Sequence, residues 1–168
     1  GHAETAAKIV AARPSLVVFA VYGQQPSAST QCMPGGRAVC KALDALAPEI
    51  PTMVLGTHAS ALPKQTLLQE PYDFVCQGEG PLTILAFLER LKSGASLETV
   101  PGLWYKEGSE PRSTPMAANI KNLYVELPGQ AWDLLDMSKY RAHNWHCFDH
   151  INQRQPYASI QTSLGCPY

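Results

Sequence analysis

Several features of the chain carry the residue types that chemistry requires. His58 sits in Gly56-Thr57-His58-Ala59-Ser60, directly after an apolar run. An imidazole there could bond a phosphate, an amide or a metal. A loop histidine tied to backbone accounts for it equally well, and both readings stay open. Glu79 lies between Gly78 and Gly80. Its carboxylate could accept hydrogen bonds from a ligand, or simply face the positive end of a following helix. His143, His146, Cys147 and His150 are metal ligands by type, but H-x-x-H-C-x-x-H matches no standard zinc spacing. With Trp145 and Phe148 interleaved, packing is the plainer reading. Cys166 follows a strand-like segment, in Thr162-Ser163-Leu164-Gly165-Cys166-Pro167-Tyr168. One thiolate cannot hold an iron–sulfur cluster, which takes several. Cys32, Cys40 and Cys76 read as small buried apolar residues.

These residues need elements to place them. Residues 3–12 are alanine-rich and predict a helix, stopped by Arg13-Pro14. Leu16-Val17-Val18-Phe19-Ala20-Val21 is an unbroken apolar run, as expected of a parallel strand covered on both faces. Residues 24–36 predict a loop, and residues 37–47 a helix with Val39, Leu43 and Leu46 on one stripe. The unit repeats: a strand at 51–55, a loop at 56–60 and a short helix at 62–70. A third strand at 73–76 and a loop at 77–80 lead into a helix at 81–93, started by Pro81 and ended by Gly94. Leu82, Leu85, Leu88 and Leu91 are expected on its inner side. Residues 102–115 predict a hairpin on the sheet edge. The fold class is therefore α/β: a Rossmann-like, flavodoxin-like parallel sheet with flanking helices, incomplete at its N-terminus, plus a C-terminal connector. Ligands of such sheets bind outside the carboxyl ends of the strands. Neither G-x-G-x-x-G nor a Walker A sequence occurs there, which argues against a dinucleotide or nucleoside triphosphate.

Composition narrows the classes further. Lys and Arg number 13 against 14 Asp and Glu, with no basic stretch to meet nucleic-acid phosphates. No apolar run is long enough to span a membrane, and no signal peptide opens the chain. Five irregularly spaced cysteines are no secreted disulfide framework, and point to a reducing, cytoplasmic setting.

Taken in order, the motifs resemble the cobalamin (B12)-binding radical S-adenosylmethionine enzymes. Val54-Leu55-Gly56-Thr57-His58 is similar to the family's V-L-G-G-x-H, with Thr57 replacing the second glycine. Asp73-Phe74-Val75-Cys76-Gln77-Gly78-Glu79-Gly80 resembles D-x-V-V-x-G-E-G, followed here by Pro81 where Glu is usual. Val100-Pro101-Gly102-Leu103-Trp104-Tyr105 resembles I-x-G-L-x-Y. Residues 157–168 resemble the opening of the radical barrel, with Cys166 as the first cysteine of C-x-x-x-C-x-x-C. The D-x-H-x-x-G motif, which gives cobalt a histidine in other B12 proteins, is missing.

The resemblance implies three regions: a partial cobalamin-binding domain at 1–115, a connector at 116–155, and the start of the radical domain at 156–168. It implies a corrinoid at the sheet's carboxyl edge, held by Tyr22, Gly23, Gln24, Gln25 and Ser27, by Gly56, Thr57 and His58, and by Gln77, Gly78, Glu79 and Gly80. It implies a 4Fe-4S cluster on Cys166 and S-adenosylmethionine in the full-length enzyme, served by an electron donor. The reaction implied is methyl transfer to an unactivated carbon, which the fragment alone would not perform. A bulky residue at Gly56 or Gly78 is expected to abolish corrinoid retention and leave the fold intact. The alternative is a flavodoxin-like module that binds a ligand or partner without catalysis. Against a receiver of that type, the strand ends carry Tyr22-Gly23, Gly56 and Gly78 in place of acidic residues. A metal-binding connector built on the 143–150 cluster is a third reading.

Overall fold

The computed structural model describes residues 1–23, 26–127, 129–141, 150, 153, 156–158 and 160. They fall into two compact units, Gly1–Asn119 and Ile120–Tyr168.

The first unit is built on a five-stranded sheet in sequential order. The strands are β1 (Val17–Ala20), β2 (Thr52–Leu55), β3 (Phe74–Cys76), β4 (Leu103–Glu107) and β5 (Glu110–Ser113). β1, β2 and β3 run parallel, with Phe19 beside Val54 and Val54 beside Val75. β4 and β5 are the expected edge hairpin and run antiparallel to their neighbours.

Alternation sorts the strand side chains onto two faces. Phe19, Val54, Val75 and Trp104 meet Met33, Cys40, Ala59, Leu67 and Tyr72. That face is covered by α2 (Pro26–Asp44), α3 (Thr57–Ala61) and α4 (Pro63–Gln69). Val18, Met53, Leu55, Phe74, Cys76 and Leu103 meet Ile84 and Phe87 of α5 (Pro81–Ser93) on the other face. α1 (His2–Ala11) packs on α2.

The helix at 26–44 corrects two expectations. Residues 26–36, read as loop, form the first half of α2. The helix begins at Pro26, where a missing N–H costs nothing. Pro34 deprives the Thr30 carbonyl of its partner, but Thr30 and Pro34 are exposed, where water can replace it. The buried stripe is Ser29, Met33, Cys40 and Leu43, and its packing overrides the weak propensity of Pro34-Gly35-Gly36. Leu46, expected on that stripe, is exposed. Gly56 to Ser60, read as loop, is an N-cap followed by the short α3. On α5 the inner residues are Thr83 and Phe87; Leu85, Leu88 and Leu91 face outward. Cys32 is also exposed, while Cys40 and Cys76 are buried as expected, and all three thiols are free.

Burial has a consequence at high pH. The Cys40 thiol is pushed up to about 11, chiefly by desolvation, and the Tyr72 phenol is raised for the same reason. Between roughly pH 9 and 11 the unfolded thiol ionises while the folded one does not, so stability falls as pH rises. For Cys40 the loss is on the order of 2 kcal/mol. Urea unfolding at about pH 8 and about pH 10.5 should show it, and Cys40→Ala should flatten the dependence. An equal slope in parent and variant would show that this thiol is not the cause.

In the second unit, α6 (Leu123–Glu126) is capped reciprocally. The Asn122 side chain accepts from the Tyr124 and Val125 amides, and Glu126 accepts from the Lys121 and Asn122 amides at 2.9 and 2.8 Å. Two 3-10 turns follow at Trp132–Leu134 and Met137–Lys139. No helix among the described residues is long and apolar enough to cross a membrane.

Candidate functional site

The exits of β1, β2 and β3 lie on one rim of the sheet, as their parallel register requires. Because β4 is antiparallel, its start at Gly102-Leu103 joins the same rim, and so does Thr114-Pro115 after β5. The Gln77 amide donates to the Gly102 carbonyl at 2.8 Å, and the Gly102 amide to the Pro115 carbonyl at 2.7 Å.

Between β1 and β2 the rim is closed by protein. The Val21 amide donates to the Leu55 carbonyl at 2.8 Å. Ser29, fully buried on α2, donates its hydroxyl to the Val21 carbonyl and accepts from the His58 amide at 3.1 Å. Gly56 has φ 140°, and a Cβ there would lie 2.0 Å from the Val21 carbonyl oxygen. A Cβ at Gly23 would lie 2.2 Å from the Ala28 Cβ and 2.8 Å from the Ala28 backbone carbonyl carbon. Both glycines are demanded by backbone contact within the protein.

Between β2 and β3 the rim is more open. Gly78 has φ 103°, and a Cβ there would meet only the Met116 methyl, at 3.5 Å. Gly80, the N-cap of α5, has φ 97° and faces Leu55 at 3.5 Å. Tyr22 stands half-exposed at the β1 exit. Burial, and then the neighbouring Cys76 thiol, raise its phenol above the ordinary tyrosine range.

The structure brings Tyr22, Gly23, Gly56, Thr57, His58, Gln77, Gly78, Glu79 and Gly80 to this rim. His58 is half-buried, and its Nδ1 lies 2.9 Å from the Thr30 hydroxyl, so Nε2 is the nitrogen it can present. Glu79 is half-buried. Gln77 is already engaged: its Oε1 accepts from the Trp104 indole at 2.8 Å and its Nε2 donates to the Ser60 carbonyl at 3.4 Å. Ser27 is exposed in the first turn of α2. Gln24, Gln25, His143, His146, Cys147 and Cys166 lie outside the described residues. Among the described residues no group of three or more His, Cys, Asp or Glu could hold a metal.

Sequence reasoning missed Ser29, Ser60 and Trp104. Ser29 shares a helical stripe with Met33, Cys40 and Leu43, a signal hidden by reading 24–36 as loop. Ser60 and Trp104 carry no local signal, since their partners are distant in sequence.

No protein-family model matches the chain. It is 32% identical over 143 residues to an uncharacterized methyltransferase of Pyrococcus horikoshii, a match covering 84% of this chain and 29% of that protein. The radical S-adenosylmethionine methyltransferase TsrM of Kitasatospora setae, solved with cobalamin and a 4Fe-4S cluster bound, matches with TM-score 0.56 at 16% identity. That match covers 71% of this chain and 22% of TsrM. The cobalamin-dependent S-adenosylmethionine radical enzyme OxsB, solved in an apo form, matches with TM-score 0.51 at 16% identity over 71% of this chain and 16% of OxsB. The chain thus spans less than a third of each of these relatives. Identities of 16% speak for the fold, and the 32% match for kinship in sequence. The chain is thus similar in sequence to a protein described as a methyltransferase, and it shares its fold with part of two radical S-adenosylmethionine enzymes.

Proposed function

We propose that the chain provides the corrinoid-holding region of a B12-dependent radical S-adenosylmethionine enzyme, a methyltransferase acting on an unactivated carbon. The observation that carries this reading is the open rim between β2 and β3. There Gly78 adopts a glycine conformation although no protein atom crowds its missing side chain. A bulky planar guest that passes close to backbone would require that arrangement. Cobalamin in TsrM, and the fold shared with it, support the identity of the guest.

In this reading Gly78, Glu79 and Gly80 line one side of the guest, and Gly56, Thr57 and His58 the other. Tyr22, Gly23, Gln24, Gln25 and Ser27 border it from the β1 exit. When bound, the corrinoid supplies a transferable methyl group, and the cluster, held in part by Cys166, supplies reducing electrons. The chain's own residues bind and orient. The tethered His58 presents Nε2, and the Tyr22 ring shields the rim from water. Three regions, at 1–115, 116–155 and 156–168, belong to this proposal. So do S-adenosylmethionine, an electron donor and a cytoplasmic setting.

Hydroxocobalamin added to the chain should survive desalting at near-equimolar ratio, read from the visible spectrum. Gly78→Leu should lower retention about tenfold or more while the far-ultraviolet dichroism stays unchanged. If the chain stays colourless, and the longer polypeptide that this reading implies does so as well when purified without oxygen, the corrinoid assignment is wrong.

A further inference from the structure

We infer that Trp104, Gln77 and Ser60 form a positioning relay that fixes Gly78 and, through it, the width of the rim between β2 and β3. The link from Gly78 to a corrinoid rests on the function proposed above; the relay itself does not.

The need for a relay comes from α3. Five residues are too few for a helix to hold its own place. Its start is tied to β1 by Ser29, which accepts from the His58 amide. Its other end is tied to β3 by Ser60, whose hydroxyl accepts from the Gly78 amide at 2.7 Å. β3 ends at Cys76, and the last sheet-like bond is from the Gln77 amide to Gly102. Beyond it the chain turns through the positive φ of Gly78, and the Gly78 amide needs an acceptor. Ser60 is that acceptor.

Gln77 braces the junction. Its carboxamide spans the Trp104 indole on β4 and the Ser60 carbonyl on α3. Trp104 pairs with Val75 in the sheet, so the indole is anchored by a register that does not depend on the rim. The Trp104 indole thereby adds a side-chain tie from β4 to Gln77 beside the backbone bond at Gly102. A glutamine with both ends engaged is a brace for the site, and this assigns Gln77 a role different from ligand contact. The Gly78 amide, being satisfied, is likewise no anion donor.

Two readouts test this on the whole chain. The first is hydrogen exchange of the Gly78 amide and of the Trp104 indole N–H, followed by NMR without any ligand. Ser60→Ala should speed Gly78 exchange about tenfold, Ser60→Thr should restore it, and Trp104→Phe should speed it by a smaller factor. The second is the dissociation constant for hydroxocobalamin. Ser60→Ala and Trp104→Phe should each weaken it about fivefold, with melting temperature nearly unchanged. The double variant should be little worse than the worse single one, because both break one chain of contacts. Unchanged Gly78 exchange in both variants would overturn the relay, as would fivefold effects that simply multiply. If the unsubstituted chain binds no corrinoid, the proposed function falls, and the exchange experiment still decides the relay.

Discussion

Replacing Gly56 with alanine should lower the melting temperature of the Gly1–Asn119 unit by about 15 °C or more, corresponding to roughly 4 kcal/mol. The added Cβ would lie 2.0 Å from the Val21 carbonyl oxygen and 2.8 Å from its carbon, and neither atom belongs to a flexible side chain. Val21 cannot retreat cheaply. Its amide is bonded to Leu55, and its carbonyl accepts the buried Ser29 hydroxyl, which also holds the His58 amide. Moving β1 away from Gly56 would break the two bonds that Val21 makes, to Leu55 and to Ser29. The φ of 140° with ψ 173° adds a conformational cost on the order of 1–3 kcal/mol for any residue with a side chain. Total stability of a domain is about 5–15 kcal/mol, so the variant should be partly unfolded at room temperature if the parent sits low in that range.

Gly78→Ala is the matched control. It carries a similar φ, yet its nearest neighbour would be the Met116 methyl at 3.5 Å. Only the backbone cost remains, about 1–2 kcal/mol. Thermal melts of the two variants separate the causes: similar losses would mean that contact with Val21 is not what demands glycine at position 56. The contrast also revises the expectation that a bulky residue at either glycine would spare the fold. Gly78 can report on a ligand; Gly56 reports on the β1–β2 junction.

The difference between these glycines explains what was legible in the sequence. Gly56, Gly78 and Gly80 follow apolar runs, so their place at strand exits could be read locally. Whether each glycine serves backbone packing or a guest depends on Val21, Met116 and Leu55 respectively, which come from other parts of the chain. The same limit hid Ser60 and Trp104. Their bonds to Gly78 and Gln77 span separations of 18 and 27 residues, which no spacing rule covers.

Elements were legible where local signals agreed. Pro81 and Gly94 bracket α5 in sequence and in structure, and Gly94 adopts the left-handed conformation that ends a helix. The three apolar runs became β1, β2 and β3. Reading failed where a local breaker was overruled by packing, as in Pro34-Gly35-Gly36 of α2. It failed differently on α5. Leucines three residues apart step back by about 60° each time around a helix of 3.6 residues per turn. At about 100° per residue Leu85 lies roughly opposite Thr83 and Phe87, and it is the most exposed of Leu85, Leu88 and Leu91. The inner face is instead marked by Thr83 and Phe87, four apart.

That inner face sets the other large effect: Phe87→Ala should cost about 3–5 kcal/mol. Phe87 is fully buried, and its ring meets Phe74 edge-on with centroids 4.6 Å apart. Around it lie Met53, Leu55, Cys76, Val100 and Leu103, drawn from β2, β3, β4 and the turn before β4. Among the described elements, α5 is the one α-helix that contributes to this cluster, beside Leu97 of a short 3-10 turn, so no second α-helix stands ready to fill the cavity. The first turn of α5 carries the consequence to the rim, because Gly80 is its N-cap and faces Leu55 of the same cluster. Urea unfolding should give the full loss for Phe87→Ala, an intermediate one for Phe87→Leu, and less than about 1 kcal/mol for the exposed Leu88→Ala. Should Leu88→Ala cost as much as Phe87→Ala, the leucine stripe would be the inner face after all, and α5 would sit rotated from the orientation described above.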